Sequence, residues 1–211
     1  MQIDIVSDTI CPWCFIGKRR LEKALAARSD IAFEVNWRPF QLNPDMPAGG
    51  MDRATYVERK FGGPEGAERI YRAIAEAGES EGIAFAFERI ARTPNTVDSH
   101  RLIRWAGGAG AQDRVVELLF RRYFLDGADI GDAAVLADVA GEAGMDGDLV
   151  AELLKGDEDA DKVRAEDVTA RQMGITGVPC FLIERKYAVS GAQDPAVLLQ
   201  AFALAAGETA P

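Results

Sequence analysis

Apolar and polar positions divide this chain into strand-like ends and a helix-like middle. Near the N-terminus, Ile3-Asp4-Ile5-Val6-Ser7-Asp8 is an apolar segment of strand length. A helix-like run follows from Phe15 to Arg28. Ile31 to Phe40 then alternates apolar and polar residues with period two, which predicts a second strand. Pro39 and the stretch Pro44-Asp45-Met46-Pro47-Ala48-Gly49-Gly50 end regular structure. Two strands joined through one helix predict a right-handed parallel βαβ unit.

From residue 51 to 173 the period becomes helical. Asp52–Gly62 and Pro64–Gly82 are charged, alanine-bearing runs, and the second opens on a proline suited to a first helical turn. Asn95-Thr96-Val97-Asp98 predicts a cap ahead of Leu102, Ile103 and Trp105, with Gly107-Gly108 closing that helix. Val115, Val116, Leu118, Leu119, Phe120, Tyr123 and Phe124 make a broad apolar face interrupted by Glu117, Arg121 and Arg122. Further helices are expected at Asp132–Ala143, Asp148–Lys155 and Asp157–Met173, the last with acidic residues favouring its N-terminus.

Strand character returns in Cys180-Phe181-Leu182-Ile183 and Tyr187 to Gly191, and Asp194-Pro195 caps a final helix. The expected fold is α/β, with a β-α-β half and a β-β-α half flanking a large all-helical insertion. Neither half is a whole sheet alone. A discontinuous domain of residues 1–50 and 174–211 is therefore expected around an insertion of residues 51–173.

Composition narrows the function classes. Hydrophobic residues make up 48% and charged ones 27%, a globular balance. A net charge of −10 argues against a general nucleic-acid or anionic-membrane binder. No segment approaches the ~20 apolar residues of a membrane span. Strand-like sequence begins at Gln2, which leaves no room for a secretory signal, so a cytoplasmic location is expected. Three cysteines cannot form an even disulfide framework, in keeping with a reducing compartment.

Against that background Cys11-Pro12-Trp13-Cys14 stands out, placed between a strand and a helix. A cysteine at the first turn of a helix meets unpartnered N–H groups and the positive end of the helix dipole, which favour its thiolate. Pro12 suits that turn because its missing N–H had no helical partner to find. A zinc half-site is the competing use of CxxC. It needs two more ligands, and the chain offers only Cys180 and its single histidine, His100. No metal is expected, and an inert cysteine pair remains the bland alternative.

Gly177-Val178-Pro179 before a late strand, together with an N-terminal CxxC, resembles the DsbA-like branch of thioredoxin-fold oxidoreductases. Cys11 to Gly17, Trp37 to Pro44, Asn95 to Leu102 and Val189 to Gln193 resemble, in order, the FrnE subgroup, which is related to glutathione-dependent 2-hydroxychromene-2-carboxylate isomerases. The resemblance spans the chain. It implies a thioredoxin-like fold with a helical insertion, a cis Val178–Pro179 bond facing the CxxC, and thiol–disulfide oxidoreductase or isomerase activity. Those isomerases carry serine where this chain has Cys11, which favours redox chemistry.

On this basis Cys11 is expected to be the more exposed, attacking thiolate and Cys14 the resolving thiol. Pro12, Trp13, Val178 and Pro179 are expected to form the substrate-binding rim. Trp37 and Asn95, with Arg38, Gln193 and Asp194, are cleft candidates by analogy, beside plainer and favoured uses: Trp37 as a core aromatic, Asn95 as a helix cap and Asp194 as an N-cap. Expected partners are protein thiols and disulfides, with glutathione as a candidate co-substrate and no resident cofactor, in a monomer or homodimer. A glutathione-dependent isomerase or transferase and a peptide-holding chaperone are the alternatives. Cys180 is expected to point away from the CxxC, because successive side chains on a strand face opposite ways.

Overall fold

A computed structural model describes residues 1–208. Its main sheet contains β1 (Gln2–Ser7), β2 (Glu34–Pro39), β5 (Cys180–Ile183) and β6 (Tyr187–Ser190), in the order β2-β1-β5-β6. β1 and β2 pair in parallel through α1 (Pro12–Ala26), and β1–β5 and β5–β6 pair antiparallel. β1 is flanked by strands on both sides and buried along nearly its whole length, which explains its near-continuous apolar sequence. Pro39 closes β2 at a sheet edge, where a missing N–H is tolerated.

The insertion carries α2 (Arg53–Phe61), α3 (Pro64–Glu79), α4 (Val97–Gly108), α5 (Gln112–Phe124), α6 (Ala133–Glu142), α7 (Gly147–Leu154) and α8 (Ala160–Gln172). It is not all-helical, as the sequence pattern suggested. Met51–Asp52 (β3) and Arg92–Thr93 (β4) form a two-residue antiparallel ladder at its base. Two residues are too few to show a period, so this ladder has no sequence signature. The last helix, α9 (Pro195–Ala206), returns to pack on α1.

Several boundaries move for local reasons. The second strand begins at Glu34 rather than Ile31, because residues 27–31 are spent in turns closed by bonds such as Ile31 N–H to Arg28 O. The helix expected from Asp157 begins at Ala160, since Asp159 sits left-handed at φ 62° and acts as its N-cap. α1 starts at Pro12, directly on the CxxC, with Cys11 as its N-cap residue.

One hydrophobic cluster runs from Ile3, Ile5 and Phe181 of the sheet through α1 into Leu102, Phe120 and Leu136 of the insertion. Lys18 and Arg19 of α1 bond carboxylates of α5, and Arg20 and Lys23 both bond Glu81 beyond α3. A smaller cluster lies on the other face of the sheet, with Val6, Phe40, Ala170, Ile175 and Cys180. The helix α1 is thus fixed from several sides.

Candidate active site

Strand register builds the site. In the antiparallel β1–β5 pair Ile5 opposes Phe181 and Val6 opposes Cys180. The chain leaving β1 toward Cys11 therefore passes the chain entering β5 from Val178 and Pro179. The Val178–Pro179 bond is cis, as the resemblance implied. The Cys11 thiol donates to the Val178 carbonyl at 3.5 Å. At the N-terminus of α1, the Cys11 N–H donates to Asp8 O and the Cys14 N–H donates to Cys11 O, each at 3.0 Å. Gly17, one turn below Cys14, lets Pro179 close in. A Cβ there would lie 2.8 Å from Pro179 Cγ.

Both cysteines of the motif are free thiols. Cys11 is 4% exposed and Cys14 1%, so Cys11 is the more exposed of the two, as expected, yet both are recessed. The cause is the cover from the Val178 loop and the core behind. Trp13 beside them is 36% exposed. Burial, reinforced by the Cys11 sulfur beside it, pushes the Cys14 thiol well above its ordinary pKa; the Ser7 hydroxyl and the Asp8 N–H oppose this. Cys14 therefore holds its proton until the site changes.

Phe15 locks the motif from below, stacking on Phe120 of α5 with ring centroids 5.1 Å apart. To one side lies a cavity of about 400 Å³ lined by Leu42, Asn43, Met46, Tyr56, Arg59 and Lys60. Its loop hangs from Asp8, whose Oδ2 accepts from the Leu42 N–H at 2.7 Å. Tyr56 of α2 lies within electrostatic reach of Cys11 and Asp8, and burial raises its phenol pKa.

The structure does not bring every candidate to the dithiol. Trp37 is 4% exposed; its indole N–H donates to Asp113 and its backbone N–H to Gln112. It packs edge-on against Phe120, as part of the core. Asn95 accepts from the Val97 N–H and donates to Met46 O, so it closes the turn ahead of α4, whose N-cap is Thr96, and hangs a loop. Arg38 pairs with Asp4, Gln193 bonds Ser190 O and Asp194 caps α9. These last three are bonded within the chain but lie at its surface.

Cys180 packs with Val6 and Phe40 in the smaller cluster, whereas Cys11 and Cys14 belong to the main one. It is 2% exposed, and burial raises its pKa. Among the described residues no group of three or more His, Cys, Asp or Glu side chains is placed to hold a metal. The residues that sequence reasoning passed over are Ser7, Asp8, Phe15 and Tyr56. For Asp8 there was a signal: an acid ending an apolar strand immediately before the CxxC.

Comparison with known proteins agrees with this geometry. Residues 2–203 match the family described as the DSBA-like thioredoxin domain. The chain belongs to that family. A probable DsbA oxidoreductase of Streptomyces coelicolor is 35% identical, with a TM-score of 0.89 over 100% of this chain and 92% of its own. The uncharacterized protein YwbO of Bacillus subtilis is 27% identical over 184 residues, 87% of this chain and 86% of its own. The cytosolic disulfide reductase DsbM of Pseudomonas aeruginosa, in a structure with glutathione, shares the fold at 15% identity. Its TM-score is 0.61 over 90% of each chain.

Proposed function

We propose that this DSBA-like protein is a thiol–disulfide oxidoreductase that works through Cys11 and Cys14. The observation that carries the proposal is the pairing of a recessed Cys11 at the N-cap of α1, facing the Val178 carbonyl, with a fully buried Cys14 one turn on. The Cys11 thiolate attacks one sulfur of a substrate disulfide. The S–S bond breaks and the departing substrate sulfur takes a proton. Cys14 then loses its proton and attacks the Cys11 sulfur, expelling the second substrate thiol. Two electrons have moved from the dithiol to the substrate, and the reverse sequence oxidises a substrate dithiol.

Val178 and Pro179 supply backbone beside Cys11 against which an extended peptide or a tripeptide thiol can lie. Pro12 and Trp13 rim that place. Protein disulfides are the leading substrate class and glutathione the candidate low-molecular-weight partner. DsbM, seen with glutathione, supports the second by likeness of fold. A cytoplasmic location suits a dithiol of this kind. No helix among the described residues is long and apolar enough to cross a membrane. Residues 1–50 and 174–211 form the redox domain of this proposal and residues 51–173 its insertion; positions 209–211 lie outside the described residues.

Insulin reduction driven by a small dithiol tests the proposal. Wild-type protein is expected to accelerate it, Cys11→Ser to abolish the acceleration, and Cys14→Ser to accumulate a mixed disulfide on Cys11. Full activity in Cys11→Ser would overturn the proposal.

A further inference from the structure

The main sheet has two edges, and the fold treats them differently. On β2, Gln112 Oε1 accepts the Trp37 N–H at 2.7 Å and Nε2 donates to Trp37 O at 3.4 Å, so a side-chain amide stands where a further strand would pair. Helices α4, α5 and α8 pack against that strand as well. β6 is the other edge, and three of its four residues are exposed. The Gly191 N–H donates to Pro179 O at 2.8 Å, and Val189 opposes Phe181 in the antiparallel register. Bonding alternates along such a pair, so Ala188 and Ser190 turn their backbone groups outward. Ser190 O takes a bond from Gln193 Nε2, whereas the Ala188 N–H, Ala188 O and Ser190 N–H find no partner among the described residues.

Edge strands are ordinarily guarded by charged side chains, proline or cover, because a bare row of N–H and C=O groups pairs with another strand it meets. Here that guard is missing. Between Lys186 and Glu208 the only charged residue is Asp194, in a chain that is 27% charged, and its carboxylate is occupied in capping α9. α9 lies against β6 and carries no charge on any face, although a helix apolar all round belongs in an interior. Its outer side leaves Val197 37% and Leu204 46% exposed, and Tyr187 of β6 joins them by donating its hydroxyl to Leu204 O. Strand edge and helix face form one uncharged surface.

We propose that this surface is the interface of a homodimer, formed by antiparallel pairing of β6 with β6 of a second copy. The occupant has to offer a free strand edge with an uncharged helix face beside it, and β6 with α9 offers both. β2 cannot serve, since Gln112 and the helices close it. A two-fold axis at Val189 lets Ala188 of each copy exchange backbone bonds with Ser190 of the other, and it sets the two α9 helices side by side on one face of a continuous sheet. The pairing is isologous and consumes the free edge of each copy, so assembly stops at the dimer. Antiparallel pairing also reverses the second copy along the strand axis. Cys180, and with it the Pro179 loop, stands at the Ser190 end of β6, so the two CxxC sites lie at opposite ends of the joined sheet and neither blocks the other. The proposal does not depend on the chemistry at Cys11.

Sedimentation of the full chain in reductant, where no intermolecular disulfide contributes, tests it. A strand edge plus one helix face makes a small interface, so a dissociation constant of about 1–10 µM is expected and the wild type should be mostly dimeric at roughly 100 µM. Ala188→Pro removes an outward N–H and none that β5 uses, and Leu204→Glu sets like charges across the axis. Each is expected to raise the dissociation constant at least roughly tenfold. Circular dichroism checks that the variants are folded; Leu204 lies at the surface, so Leu204→Glu decides the matter if Ala188→Pro does not fold. A wild-type monomer at that concentration, species larger than a dimer, or an undiminished dimer in either folded variant would overturn the proposal.

Discussion

Cys14 and Cys180 are both buried thiols with raised pKa, yet only one has a partner sulfur within reach. For Cys180 the raised value means little thiolate at neutral pH, and the thiolate is the reactive form. Its proton is retained as pH climbs past the ordinary thiol range near 8.5, so its labelling stays slow there and quickens only in more alkaline buffer. Iodoacetamide at pH 7.5 is therefore expected to label Cys180 at least roughly tenfold more slowly in the folded protein than in urea. Cys180→Ala should keep most exchange activity. Equal rates in folded and unfolded protein, or a Cys180-linked peptide in substantial yield after oxidation, would contradict its assignment as a packed bystander.

At the scale of elements, α1 is the piece that has to be held still. Its first turn carries the cysteines, and Gly17 lets the Pro179 loop rest against it. Gly17→Ala gains about 1 kcal/mol of helix propensity, but the new Cβ meets Pro179 Cγ at 2.8 Å and Phe181 at 3.2 Å. Overpacking of that kind costs about 1–3 kcal/mol, so a net loss of up to about 2 kcal/mol is expected in urea denaturation. A variant as stable as wild type would show that this contact gives way freely. The elements themselves were largely legible. β5 was read residue for residue, and α2 through α9 fall within a few residues of their apolar periods. The β3–β4 ladder was invisible because two residues show no period. Asp159 displaced the start of α8 because a left-handed aspartate is fixed by its side-chain bonds to Trp105 and Lys162, which lie far along the chain or inside the helix.

For the whole molecule, the division into a redox domain and an insertion describes chain order better than packing. The main core is shared by both parts, and Phe15 beside the motif stacks on the insertion. That sharing also explains what was legible in the site and what was not. Cys11, Cys14, Val178 and Pro179 could be read because their chemistry is local and their motifs are specific. Trp37 and Asn95 stayed open between a cleft role and the favoured core or capping one, because a sequence cannot show which partners satisfy an indole or an amide. Asp8 and His100 meet only through the docking of α4 against the strand ends, a contact 92 positions apart that no local pattern encodes. The central claim is that Cys11 and Cys14 act as one dithiol. Its most direct measurement is thiol counting with peptide mapping during equilibration against graded ratios of reduced and oxidised glutathione. Two thiols should disappear together and return together, joined as a Cys11–Cys14 peptide, while Cys180 stays free. Thiols that oxidise one at a time, or a crosslink that excludes Cys11, would contradict the account.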